Sequence, residues 1–180
     1  MKPKIFTWYW WRYESKYFHR EVWQGIKNIF KWLPIVWKDR DWDHYYIYKA
    51  LQFKLKNTAN YIEKRDRYVG NERDVQRLRT CVKLIENILE DVYELEHMNY
   101  YDFEFRSIPV EGKPDLFSLK SDVIRDDSQQ YVDKYPTYHR LLDPKGKDDA
   151  HSKAARIGLL REKKAKKLLF TIIERNIDAW

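Results

Sequence analysis

The chain has 180 residues, a net charge of +7 and an aromatic content of 17%, which suits one domain with a substantial core. No run of about 18 apolar residues occurs, so we predict no membrane-spanning helix and no membrane partner. The single cysteine, Cys81, excludes an intramolecular disulfide and a zinc site of paired cysteines. Since the first residues also lack the pattern of a signal peptide, the sequence predicts a cytoplasmic protein.

Charge and aromatic residues are unevenly distributed along the chain. Residues 1–56 and 145–180 are basic, whereas residues 99–143 are acidic. All tryptophans except Trp180 lie within the first 42 residues. Basic and aromatic residues together favour a partner with phosphates and flat rings. The alternative is that the aromatic residues fill the core and the lysines only solvate the surface.

The N-terminal third predicts an aromatic arm followed by one amphipathic helix. Residues 1–13 form the arm. The helix runs from about Glu14 to Trp32, and Pro34 ends or kinks it. Its apolar stripe has spacings of four, four, three and four, which is the helical period. The stripe consists of Phe18, Val22, Ile26, Ile29 and Leu33.

Two central helices are predicted to pack antiparallel on each other. The second helix begins at Asp39 or Asp41 and ends around Arg65, and Gly70 closes the turn. The third begins with Asn71 as its N-cap, and Cys81 beside its seam is expected to be a small buried residue. Its seam alternates three and four residues. The seam residues are Val75, Leu78, Val82, Ile85, Leu89 and Val92.

The C-terminal half predicts an irregular cover over residues 99–147 and then a long basic helix. Within the cover, residues 101–106 alternate like a short strand, and a short helix is expected from Ser118 to Asp133. The last helix spans about Asp148 to Asp178 and is capped by Asp148 or Asp149. A charged run from Arg161 to Lys167 interrupts its thin stripe. That stripe is Ala154, Ile157, Leu160, Leu168, Ile172 and Arg175.

The junction between the first two helices mixes aromatic, basic and acidic residues more densely than a core requires. Aromatic rings there could stack on a base, and cations could bind phosphates. The alternative is that its tryptophans are core residues. The candidate ligand-binding residues are Trp37, Lys38, Asp39, Arg40, Asp41, Trp42, Asp43, His44, Tyr45 and Tyr46, together with Arg73 and Arg77 on the third helix.

Three alternating aspartates in the junction invite a metal interpretation. Calcium binding by an EF-hand is excluded, because His44 and Ala50 stand where that loop needs glycine and glutamate. A magnesium ion at Asp39, Asp41 and Asp43 stays open, since a few carboxylates with ligand phosphates suffice. In the alternative, one aspartate caps the helix and the others pair with Lys38 and Arg40. No catalytic residues and no other cofactor are predicted.

The segment from Trp37 to Tyr48, with Leu51, Lys54 and Leu55 after it, resembles small proteins encoded by tailed bacteriophages that share this Trp-Lys-Asp-Arg-Asp-Trp-Asp-His-Tyr-Tyr run. The similarity continues through Tyr61 and Gly70 to Asp74, Leu78 and Cys81 and covers about residues 25–95. It implies a phage origin and no particular activity. Small phage proteins are often accessory factors that sequester nucleotide signals of host defence, bind a host enzyme, or serve in replication or the virion.

The sequence therefore predicts a mainly α, single-domain helical bundle over residues 1–180, with residues 14–98 as its core and residues 148–180 as its basic helix. The alternative is α+β with a small extended element. The first functional hypothesis is a phage accessory protein that binds a nucleotide or another phosphorylated ligand without turnover. The second is an interaction protein that binds nucleic acid or a host protein. The third is a magnesium-dependent phosphohydrolase. Homo-oligomerisation is left open.

Overall fold

A computed structural model describes residues 8, 12, 15–40, 42–65, 70–110, 112–142 and 149–180. The described chain is mainly helical with one small antiparallel sheet, which confirms the predicted fold class. It divides into two compact units, Met1–Ala50 and Leu51–Trp180. Most of the predicted aromatic arm lies outside the described residues. The single-domain organisation stays a prediction.

The first unit is dominated by helix α1, Ser15–Val36. The predicted stripe is present at helical spacing, but all of its residues are exposed rather than packed. Pro34 lies inside the last turn, and the helix ends two residues later. The predicted stop at this proline is therefore correct to within a turn, because proline has no N–H to donate to the carbonyl four residues earlier and its ring crowds that carbonyl.

Helix α2, Tyr45–Arg65, begins later than predicted. Asp39 does not start it, and Asp41 lies outside the described residues; the backbone N–H of Tyr45 donates to the Asp43 carboxylate at 2.9 Å. A carboxylate just before the first turn accepts a bond from a backbone N–H that the helix leaves unpaired. Asp43 is the aspartate that stands two residues before Tyr45 and can reach its N–H. The predicted end at Arg65 is confirmed, and Leu55, Ala59 and Ile62 are buried.

Helix α3, Asn71–Leu89, shows two differences from the sequence prediction. Asn71 is not the cap: Gly70 holds that position with φ +93°, and Asn71 is buried in the first turn. The buried side also includes Cys81 and Ile88, whereas Val82 and Leu89 are only half-buried. A straight helix of 3.6 residues per turn drifts away from a strict seven-residue seam, which explains the shift. The expected burial of Cys81 is confirmed.

Residues 101–110 and 113–126 form a β-hairpin, so the short strand predicted for residues 101–106 is confirmed and extends to Val110, whereas its partner strand was not predicted. Strand β1, Tyr101–Val110, pairs antiparallel with strand β2, Lys113–Asp126, and Gly112 turns between them with φ +79°. The predicted helix from Ser118 is wrong up to Asp126. Here Phe117, Leu119 and Val123 recur at even spacing, which places them on one face of a strand. Only α5, Ser128–Lys134, is helical in that region.

The core of the second unit lies where α6, Ala150–Asn176, packs against α3, α5 and the short helix α4, Val92–Leu95. The Asp149 carboxylate accepts the Ser152 N–H at 2.8 Å, which confirms the predicted cap. One buried cluster joins α5 to α6 and consists of Tyr131, Val132, Leu142, Ala154 and Ile157.

The predicted apolar stripe of α6 is partly wrong. Ala154 and Ile157 are buried as expected, but Leu168 is exposed and Leu169 is buried in its place. Because the charged run interrupts the apolar pattern, the sequence does not show which residues after it face the core. Gly158 and Ala165, which are small, are buried as well. No helix among the described residues is long and apolar enough to cross a membrane.

Candidate functional site

The junction segment of the first unit forms an open cavity. After α1 ends, the Trp37 N–H still donates to the Leu33 carbonyl at 2.9 Å, and the chain then turns toward α2. The cavity has a volume of about 500 Å³ and is lined by Trp37, Lys38, Asp39, Arg40 and Tyr46. The structure therefore brings together five of the predicted ligand-binding residues, with aromatic, basic and acidic side chains among them.

The remaining junction residues have separate environments. Trp42 is 80% exposed, as is Trp37, so the prediction that junction tryptophans belong to the core does not hold for these two. The Tyr45 and Tyr46 rings meet edge to face, with centroids 5.2 Å apart. Asp43 is engaged as the α2 cap and His44 is exposed.

The magnesium prediction for the three aspartates stays a prediction. Asp41 lies outside the described residues. Among the residues that are described, no three His, Cys, Asp or Glu side chains gather as a metal-binding group. One carboxylate oxygen of Asp43 already accepts a hydrogen bond from the N-terminus of α2.

Arg73 and Arg77 belong to the second unit, and their predicted role at the junction ligand stays a prediction. Arg73 is exposed. Arg77 pairs with Asp74 at 3.1 Å and lines a cavity of about 380 Å³ together with side chains of α6. Arg175 of α6 lines the same cavity, so two guanidinium groups border it. The structure thus places Arg77 beside the basic C-terminal helix.

Helix α6 carries basic residues along one side. Lys153, Lys164 and Arg175 are spaced by 11 residues, and Arg156, Lys163 and Lys167 by seven and four, so each set follows a line along the helix. We call these six residues the basic face of α6. Glu174 is the acidic residue near its C-terminal end. From Lys153 to Arg175 the helix rises about 33 Å.

The exposed lysines of this face differ from their neighbour Lys166. Lys163, Lys164 and Lys167 are exposed, and within the described chain they form no ion pair. The Lys164 ammonium lies 5.7 Å from the centre of the Tyr138 ring. Lys166, in contrast, pairs with Glu162 on its own helix. The charges of the first three are therefore available to an external anion.

An inward-facing polar cluster that the sequence did not reveal fixes the orientation of α6. Arg161 donates to the Glu96 carboxylate and, at 2.7 Å, to the Tyr131 hydroxyl. Lys134 donates to the same carboxylate at 2.7 Å, and the Tyr135 hydroxyl lies 3.1 Å from both of its oxygens. Because Arg161 points inward, Lys163, Lys164 and Lys167 lie outward. The interspersed charges of residues 161–167 gave no sign that one of them is internal.

Burial and pairing shift the pKa values of this cluster. Burial acts to raise the pKa of the Glu96 carboxyl, but hydrogen bonds from Lys134 and Arg161 outweigh it, so the pKa lies below its ordinary value. The hydrogen bond to Glu96 raises the pKa of the Lys134 ammonium. Burial raises the pKa of the Tyr131 hydroxyl. Glu96 and Lys134 are therefore charged at neutral pH, and the cluster is a structural ion-pair network.

Comparison with known proteins identifies no relative: no family model, no curated protein and no solved structure matches the chain.

Proposed function

We propose that the chain is a non-enzymatic interaction protein that binds the phosphate backbone of nucleic acid through the basic face of α6. The observation that carries this proposal is the outward placement of Lys163, Lys164 and Lys167 on a helix whose other side is buried. Sequence-independent binding needs only cations along one face, because each phosphate contact releases condensed counterions.

The length of the basic face suits a duplex backbone. Its rise of about 33 Å is close to one turn of B-DNA, about 34 Å, so cations along it can contact phosphates across a whole helical turn. Arg77 and Arg175 border one cavity near the C-terminal end of the face, and guanidinium groups bind phosphate oxygens in a bidentate manner. The resemblance to phage proteins supports an accessory role in the cytoplasm of an infected host.

Titration of the protein with duplex DNA at several salt concentrations tests the proposal. The triple variant Lys163→Gln, Lys164→Gln and Lys167→Gln should bind more weakly, and its slope of log K against log salt should shrink by about 2 to 3. A matched control removes three exposed lysines of α2 by Lys54→Gln, Lys56→Gln and Lys64→Gln. Equal losses in both triple variants would mean that net charge alone drives binding, which contradicts a specific face.

A second candidate function is binding of a nucleotide or another phosphorylated small ligand at the junction cavity. Its support is the cavity lined by Trp37, Lys38, Asp39, Arg40 and Tyr46. Rings would stack on the base, and the two cations would hold phosphates. Native mass spectrometry of gently purified protein tests it: a co-purifying mass that disappears in the Arg40→Ala variant supports this function, and a mass of protein alone contradicts it.

A further inference from the structure

Helix α1 has a broad apolar face that is open to solvent. Its six central side chains follow the helical period and are each more than a third exposed: Phe18, Val22, Ile26, Ile29, Leu33 and Val36. Trp23 and Phe30 widen the face on one side, and Phe30 is 70% exposed. On a wheel of 100° per residue the whole face spans about 140° of the circumference.

Basic side chains follow one border of this face. Arg20, Lys27 and Lys31 are spaced by seven and four residues, so they form a line beside Trp23 and Phe30. All three are exposed. The acidic residue of α1, Glu21, lies toward the other border. The border between the apolar face and the basic line is therefore aromatic and positively charged.

Two cations of the basic line lie beside aromatic rings, one ring on each side of the line. The Lys27 ammonium lies 5.3 Å from the centre of the Trp23 ring, one turn earlier on the helix. Arg20 lies at the same distance from the Tyr17 ring. Indole rings favour the boundary between hydrocarbon and water, and long cationic side chains extend from such a boundary to the aqueous side.

From these features we infer that α1 adsorbs in the plane of an anionic lipid surface. Its apolar face would enter the acyl-chain boundary, and Arg20, Lys27 and Lys31 would contact anionic headgroups. Charge complementarity selects this occupant over a second copy of the chain, since the basic border would meet an equally basic border in many pairings. The prediction of no membrane partner rested on the lack of a spanning helix, and adsorption needs no such helix.

Co-sedimentation with lipid vesicles tests the inference. The full chain should sediment with vesicles of phosphatidylcholine and phosphatidylglycerol and much less with phosphatidylcholine alone. The double variant Ile29→Gln and Phe30→Gln should lower partitioning at least about tenfold, because two large side chains lose their apolar burial. Each of Arg20→Gln, Lys27→Gln and Lys31→Gln should lower it about fivefold.

A matched control separates this surface from the basic face of α6. Leu159→Gln with Phe170→Gln removes one aliphatic and one aromatic side chain from α6, both about half exposed, and should leave vesicle binding unchanged. The α1 variants should leave DNA binding unchanged, so failure of either proposal can be recognised independently. Failure to sediment with anionic vesicles would overturn the inference. So would equal losses in the two double variants, or self-association that the Ile29 and Phe30 variant abolishes.

Discussion

Arg161 and Glu96 lie 65 residues apart in the sequence and form an ion pair whose side chains are only 14% and 20% exposed. The pair joins α6 to the short 3₁₀ helix, Glu96–Tyr100, that precedes the hairpin. This contact helps to set the rotation of α6 about its axis, and that rotation places the α6 lysines on the outward side.

Breaking this pair should destabilise the protein substantially. Arg161→Met removes the guanidinium and leaves Lys134 as the cation that pairs with the Glu96 carboxylate. We therefore expect a loss of about 2–4 kcal/mol in the free energy of unfolding. Urea denaturation followed by circular dichroism measures it. The control, Glu63→Gln, breaks the exposed pair with Arg79 and should cost less than about 1 kcal/mol. Similar losses in both variants would contradict an internal role for Arg161.

The same carboxylate predicts how stability depends on pH. The pKa of Glu96 is lower in the folded chain than its ordinary value of 4.5, so the unfolded chain binds more protons as pH falls through that range. The contribution of Glu96 is therefore complete above the unfolded pKa and is lost as pH drops through the folded pKa. The stability difference between wild type and Glu96→Gln should be constant from pH 6 to 8 and shrink below about pH 4. A stability difference between the two chains that grows as the pH falls would show that folding does not lower the pKa of Glu96.

Much of the helical framework could be predicted from the sequence, because the signals are local. The spacing in α1 and α3, the chain turn at Gly70 and the Asp149 cap each depend on neighbouring residues only. The first strand of the hairpin was predicted from the alternation in residues 101–106, but the second strand was missed because Ser121 interrupts the apolar alternation of β2, and a short mixed run fits a helix almost as well as a strand. The Asp43 cap was misplaced because three aspartates compete at alternate positions.

The candidate site was predictable only in part. Lys163, Lys164 and Lys167 belong to a recognisable basic run, but their shared outward direction depends on how α6 is rotated in its packing. That rotation follows from Gly158, Ala165 and the Arg161 contact with Glu96, which are tertiary features. The proximity of Arg77 to Arg175 has the same origin.

Gly158 should not tolerate a methyl group. A Cβ at this position would lie 2.8 Å from the Glu94 carbonyl oxygen and 3.1 Å from that of Tyr93, both backbone atoms of α4. We expect Gly158→Ala to lower the free energy of unfolding by about 1–3 kcal/mol, despite a gain in helix propensity of about 1 kcal/mol. Gly25→Ala in α1 meets nothing within 4 Å and is the control, which should not destabilise the protein. Urea denaturation of both variants compares them.

Cys81 should be chemically inert in the folded protein. Its side chain is fully buried in α3, and burial raises the pKa of the thiol to about 11, so the reactive thiolate is scarce at pH 8. We expect a thiol reagent such as iodoacetamide to label the native chain at least about a hundredfold more slowly than the urea-unfolded chain, since both accessibility and thiolate content are lower. Mass spectrometry of timed samples measures the two rates. The labelling rate should rise in Gly158→Ala, which loosens the packing of α6 and so increases opening of the core that contains α3. Rapid labelling of the native wild-type chain would contradict the burial of Cys81 in α3.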